Sequence, residues 1–259
     1  MEKISKSQVK LVKSLQLKKF RDELGLFVAE GEKCVEELRK SFELVHFYRE
    51  GENATRTEIE QMSGLRTPQG VIAVFKKRDQ ESGGRIQDDL VLALDGIQDP
   101  GNLGTIIRTC DWFGVHDIYC SLDTADCYNP KVVQATMGAL ARVRLHYVDL
   151  PKWIEGARNQ ESGIRIYGTL LDGKNMYEVL QQRGLTATRS YSPKDGLIAE
   201  GGHAVIVMGN EGNGISAEVR KLITHPILIP PYNKEASEVI ESLNVSIATA
   251  IVLAEFRRP

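Results

Sequence analysis

Three short segments of the chain combine glycine or proline with side chains able to bind or orient a reacting group. The first reads Asp95-Gly96-Ile97-Gln98-Asp99-Pro100-Gly101-Asn102-Leu103-Gly104 and is followed by Arg108. Pro100-Gly101 suits a tight turn, and the glycines let backbone approach backbone or ligand closely. Arg108, among Ile106, Ile107 and Phe113, either lays its stem along the core edge or is a fixed cation aimed at strand ends. Asn102 either caps the following helix or takes part in binding. The second segment, Gly209-Asn210-Glu211-Gly212-Asn213-Gly214-Ile215-Ser216, exposes backbone amides and carbonyls. Its Gly-x-x-Gly-x-Gly spacing is not the dinucleotide fingerprint, and no Walker lysine follows. Glu211 would repel a phosphate, which favours an uncharged or cationic ligand over a nucleoside triphosphate. In the third segment, Ser242-Leu243-Asn244-Val245-Ser246, Ser242 or Asn244 can cap a final helix or touch a ligand. The three together suggest a composite pocket, whose ligand the spacing alone does not name.

The elements that must position these segments alternate. Strands are predicted at 90–94, 117–120, 143–148, 164–171, 204–208 and 227–229, with helices at 105–113, 130–140, 152–160, 176–183, 217–223 and about 245–257. Short, nearly all-apolar strands separated by helices predict a parallel sheet covered on both faces. Ligands in such sheets bind beyond the carboxyl ends of the strands, where all three segments fall. Ahead of this lies a smaller α/β unit with strands at 26–29, 44–48 and 71–75 and helices near 30–39 and 57–62. The charged, glycine-bearing stretch around 76–85 has no hydrophobic period and reads as a linker. The expected organisation is therefore an N-terminal domain at 1–78, a linker at 79–88 and a second domain at 89–259.

Composition bounds the function. The 259 residues are 42% hydrophobic and 26% charged, with a net charge of −2. That is ordinary for a globular protein with its own core. No apolar run follows the basic start, and none approaches a membrane span, so a cytoplasmic protein without membrane contact is expected. Cys34, Cys110, Cys120 and Cys127 contain no Cys-x-x-Cys pair, and the five histidines are scattered. Reduced thiols and no metal site are expected. Charge is uneven, however: residues 1–21 hold Lys3, Lys6, Lys10, Lys13, Lys18, Lys19 and Arg21 against Glu2 alone. Lys6, Lys10 and Lys13 recur at helical spacing, as on a helix facing a phosphate backbone or on an ordinary solvated face.

Taken in order, Asp99-Pro100-Gly101-Asn102-Leu103-Gly104 with Arg108, Met208-Gly209-Asn210-Glu211-Gly212, Ile229-Pro230 and Ser242-Leu243-Asn244-Val245-Ser246 resemble the SpoU/TrmH family of RNA ribose 2′-O-methyltransferases, within the SPOUT superfamily. The resemblance covers roughly residues 88–259. Phe20-Arg21-Asp22-Glu23-Leu24-Gly25-Leu26-Phe27-Val28-Ala29-Glu30-Gly31 is similar to the start of the accessory RNA-binding domain of members that act on ribosomal RNA. The resemblance implies an α/β fold whose C-terminal parallel-sheet domain carries a deep trefoil knot, preceded by a small α/β substrate-binding domain. It also implies a homodimer, S-adenosyl-L-methionine as cofactor and RNA, with ribosomal RNA favoured, as substrate. Gly209, Ile229 and Leu243 would contact the cofactor. Arg108 would be essential, either activating the 2′-hydroxyl or binding the neighbouring phosphate and stabilising charge. Asn102, Glu211, Ser242 and Asn244 would orient Arg108, the ribose and the loops.

One segment departs from the family pattern. Pro230 to Ser242 is longer than usual, has no glycine and adds Glu235, Glu238 and Glu241, which would discourage RNA there. The alternatives are a transfer-RNA 2′-O-methyltransferase and a non-catalytic RNA-binding protein that keeps the fold.

Overall fold

Ser5 starts the chain's first helix. Its side chain accepts the Gln8 N–H while the Gln8 side chain accepts the Ser5 N–H, a capping box that opens α1 (Lys6–Ser14). A second helix, α2 (Lys18–Leu24), ends at Gly25 in the left-handed conformation, φ +65°. The expected single basic helix is thus two. Lys6, Lys10 and Lys13 do share solvent, whereas Arg21 is buried and leaves the surface charge. The computed structural model that shows this describes residues 4–79, 86, 88–160, 163–181, 203–233 and 242–258.

Three strands follow, β1 (Leu26–Glu30), β2 (Leu44–Arg49) and β3 (Val71–Lys76), with α3 (Glu32–Leu38) and α4 (Arg56–Met62) between them. They form an antiparallel sheet in the order β1-β3-β2. Alternation along β1 sends Val28 to one face, where it joins Val12, Leu15, Ile59, Met62, Ile72 and Val74. Phe27 goes to the other, with Phe42, Phe75 and Tyr128, ring centroids 5.1, 5.6 and 4.8 Å away. Tyr128 lies just before α6 (Pro130–Thr136), which packs on β1. The first compact unit accordingly gathers the described residues of Met1–Gln80, Asp99–Arg108 and Ala125–Arg144.

The second unit takes Glu81–Gln98, Thr109–Thr124 and Leu145–Pro259. Its strands continue the numbering as β4 (Leu90–Asp95), β5 (Asp117–Ser121), β6 (Arg144–Val148), β7 (Arg165–Asn175), β8 (Ala204–Gly209) and β9 (His225–Leu228), in the order β6-β5-β4-β8-β7-β9. The pairs β4–β5, β4–β8, β7–β8 and β7–β9 are parallel. Every residue of β4 is buried, as the unbroken apolar run requires of a strand covered on both faces. On one face Val91, Ala93, Val205, Val207 and Ile166 meet Leu150, Ile154 and Ala157 of α7 (Leu150–Gln160) and Val219 of α9 (Ala217–Arg220). The helix α8 (Met176–Gln181) follows β7, and α10 (Val245–Phe256) packs on β8. At Gly173 the β7 segment crosses β9 so closely that a Cβ would stand 2.5 Å from the Ile227 carbonyl carbon.

Several boundaries differ from the sequence expectation. The helix expected at 105–113 is α5 (Pro100–Trp112), because Pro100 opens it rather than making a free turn. The one at 130–140 stops at Thr136, where Met137 turns left-handed, φ 51°, before a single 3-10 turn at Ala139–Ala141. The one at 217–223 is a single turn, Ala217–Arg220. Most of the linker at 79–88, the end of the helix at 176–183 and residues 234–241 of the long acidic loop lie outside the described residues.

Candidate active site

At the carboxyl edge of the parallel sheet, three strand ends are latched together by loop residues. The Gly96 N–H, at φ +73° after β4, donates to Ser121 Oγ at the end of β5, 2.8 Å away. The Gly96 carbonyl accepts Asn210 Nδ2 from the end of β8 at 2.6 Å. Buried Asp95 accepts the Ser216 N–H at 2.7 Å. The second glycine segment therefore starts and finishes on β4.

That segment is a closed ring. Asn210 and Gly214 exchange backbone hydrogen bonds of 2.9 and 3.0 Å, and Asn210 Oδ1 accepts the N–H groups of Gly212 (2.9 Å) and Asn213 (3.0 Å). A Cβ on Gly209 would stand 2.4 Å from the Gly214 carbonyl carbon and the Ile215 nitrogen. Glycine is required at 209 by its own loop. Glu211 is exposed at the tip. The organising residue is Asn210, which the sequence reading passed over; an asparagine between glycines, able to bond its own backbone two and three residues on, was the available signal.

Asn244 is the N-cap of α10, its Oδ1 accepting the Ser246 N–H at 3.0 Å, the Ile247 N–H at 3.4 Å and the Ser246 hydroxyl at 2.6 Å. At the far end of the helix, Arg257 forks onto both Asp89 oxygens at 2.8 and 2.9 Å. That fork holds the Asp89 carboxyl below the usual carboxylate range. Asp89 immediately precedes β4, so the helix ends beside the amino ends of the strands. Its twelve residues rise about 18 Å, close to the roughly 20 Å of a six-residue strand. Asn244 opens the opposite end of that helix; at the carboxyl edge of the sheet, Gly209 ends β8 and half-buried Ile229 follows β9. Ser242 is exposed, and Leu243 keeps 49% of its surface in solvent.

Asn102 and Arg108 lie on α5, within the first unit. The cap of this helix is Asp99, not Asn102: Asp99 Oδ1 accepts the Asn102 N–H at 2.8 Å and its carbonyl the Leu103 N–H at 3.0 Å. Leu103, Ile106, Ile107 and Cys110 are buried, while Thr105 and Arg108 are exposed. Arg108 thus occupies the third turn of α5, and it is a solvent-facing cation rather than a stem laid along the core. Gly104 serves packing, since a Cβ there would stand 2.4 Å from Ala135 Cβ of α6. Among the described residues, no group of three or more His, Cys, Asp or Glu is placed to hold a metal ion. All four cysteines are buried, and burial pushes the Cys34 thiol up to about 11. No helix among the described residues is long and apolar enough to cross a membrane.

Residues 89–254 match the SpoU rRNA Methylase family. The chain belongs to that family. Residues 6–73 of this SpoU protein match the MRM3-like substrate binding domain. It is 27% identical to the Bacillus subtilis 23S rRNA (guanosine(2553)-2′-O)-methyltransferase RlmP, across 99% of this chain and 98% of that one. Among solved structures, a TrmH-family protein from Porphyromonas gingivalis is 35% identical with a TM-score of 0.80, covering 98% of both chains. An AdoMet-bound rRNA methyltransferase from Sinorhizobium meliloti is 27% identical with a TM-score of 0.77, covering 100% of this SpoU chain and 97% of that one.

Proposed function

We propose that this protein transfers a methyl group from S-adenosyl-L-methionine to a ribose 2′-hydroxyl of RNA, with ribosomal RNA as substrate. The observation that supports the reading is the Gly209 ring latched onto the end of β4 at the carboxyl edge of the parallel sheet, in a chain of the SpoU family. The named relative RlmP and the AdoMet-bound relative support it.

The residues present fit the cofactor. The Gly209–Gly214 ring offers backbone groups of an exposed loop, and Leu243 and Ile229 offer apolar surface against which an adenine can lie. When bound, the cofactor supplies an electrophilic methyl group on a sulfonium. Arg108, exposed and permanently charged, takes the RNA phosphate next to the acceptor ribose and stabilises the negative charge that grows on the 2′-oxygen. A guanidinium is a poor base, so the proton leaves to the phosphate or to water. Ser242 hydrogen-bonds ribose or loop, Asn244 holds the start of α10 in place, and Asn102 and Glu211 orient their segments.

Residues 1–78 form the RNA-binding domain, joined by a linker at 79–88 to the knotted catalytic domain at 89–259. Lys6, Lys10 and Lys13 offer its solvent-facing cations. The protein works as a homodimer in the cytoplasm. Support for the dimer comes from α10, which is mostly apolar and carries no polar stripe, a pattern that belongs in an interior, whereas Ile247 on it keeps 55% of its surface exposed. Calorimetric titration with S-adenosyl-L-methionine, followed by radiolabel transfer to unmodified total RNA, tests the reading. Binding with alkali-resistant label at one ribose supports it; absence of cofactor binding overturns it.

A further inference from the structure

A cavity of about 240 Å³ opens in the first unit, lined mainly by residues of the N-terminal sheet, its connecting loops and α6, with Pro100 at its edge. It has room for about eight waters at roughly 30 Å³ each, or for one flat heterocycle. Val28, Leu65, Pro100 and Pro130 supply apolar walls, and Asn129, Lys131 and Gln134 line the α6 side. Two polar groups stand side by side within them, around Gly64. Gln16 Nε2 is buried with no hydrogen-bond partner among the described residues. Glu30, only 5% exposed, accepts the Gly64 N–H at 2.8 Å and the Ser63 hydroxyl. Those two bonds occupy half of the roughly four acceptor positions of a carboxylate. Gly64 itself leaves no room for a Cβ, which would stand 2.5 Å from Gln16 Oε1.

An orphaned buried amide donor costs stability unless something accepts from it. A buried carboxylate with spare acceptor capacity beside it asks for donors. We propose that this cavity receives one unpaired nucleobase of the RNA substrate, stacked between the apolar walls and read on its edge by Gln16 and Glu30. This rests on the RNA methyltransferase reading above. Single-stranded bases splayed out of the helix are recognised in this way, by stacking and by hydrogen bonds to their edges. Guanine is the best complement, because one edge offers an acceptor oxygen for Gln16 Nε2 beside two N–H donors for Glu30. Burial raises the Glu30 carboxyl above its ordinary range, and donation from a base would favour its ionised form.

The source of the base can be RNA or a free nucleotide, and two measurements separate them. Guanosine, adenosine, cytidine and uridine are titrated onto the full protein and followed by saturation-transfer NMR. Methyl transfer to RNA is measured in parallel for the wild type, Glu30→Gln and Leu65→Trp; the latter fills the cavity while leaving the Glu30 hydrogen bonds in place. The expected result is a guanosine signal lost in both variants and a KM for RNA raised about tenfold, with kcat and S-adenosyl-L-methionine affinity unchanged. Unaltered KM in both variants overturns the RNA role even if guanosine binds, and no guanosine signal together with unaltered KM overturns the site altogether. If the wild type fails to bind S-adenosyl-L-methionine, the methyltransferase reading falls; the nucleoside titration then judges the cavity alone.

Discussion

Arg21 and Asp126, 105 positions apart in the chain, are paired inside the first unit: Arg21 Nε and Nη2 both donate to Asp126 Oδ2, at 3.0 and 2.7 Å. The guanidinium is 2% exposed, and its Nη1 also donates to the carbonyls of Leu15 and Gln16. One buried cation thus closes the end of α1 and fixes the loop that leads into α6. Removing the carboxylate strands that cation. Asp126→Ala should cost about 3–5 kcal/mol in urea unfolding. An apolar pair, Arg21→Met with Asp126→Leu, should recover most of it; a double variant as unstable as the single one would mean the fold needs the charge itself.

Gly209 and Gly212 provide a matched contrast. A Cβ at 209 meets the Gly214–Ile215 backbone at 2.4 Å, whereas at 212 the nearest atom is Asn210 Oδ1 at 3.6 Å. Gly209→Ala should lower stability by about 1–3 kcal/mol and weaken S-adenosyl-L-methionine binding in calorimetry. Gly212→Ala should leave the melting temperature near that of the wild type. Equal effects would sink the ring as the reason for glycine at 209.

Arg108→Ala separates chemistry from folding. The side chain is exposed, so its loss should change stability by no more than about 0.5 kcal/mol. Methyl transfer should fall by about 100- to 1,000-fold, with cofactor affinity unchanged. Single-turnover rates near wild type would remove Arg108 from the reaction.

The Asp89–Arg257 fork makes a pH prediction. The Asp89 carboxyl titrates below its ordinary value of 3.8 in the folded protein, so the pair stabilises the fold above that value and its contribution is lost as pH falls through the lower, folded one. Arg257→Gln should therefore be less stable than the wild type at neutral pH, and the gap should narrow below about pH 4. Denaturant midpoints measured across that range check it; a gap independent of pH would place the effect of Arg257 in packing.

The parallel sheet was legible because strands buried on both faces leave unbroken apolar runs, as at Leu90–Leu94. Asn244 was legible as a cap because its partners are two and three residues on. Pro100-Gly101 misled, since a proline beside a glycine suits a turn as well as a helix start, and Asp99 decides between them. Gly104 could not be understood without Ala135, nor the burial of Arg21 without Asp126. Each of these roles is set by a residue distant in sequence, which local pattern does not contain.

The aromatic face of β1 has a consequence for inheritance. Phe27 is covered by Tyr128, Arg21 is neutralised by Asp126, and Cys34 Sγ reaches the Val133 carbonyl at 3.7 Å. A chimera that exchanged residues 1–78 alone would pair a foreign half-core with the resident Asp126, Tyr128 and Val133. The unit that can be traded between homologues without loss of fit therefore includes residues 125–144. Recombination within the family should have kept these two stretches together.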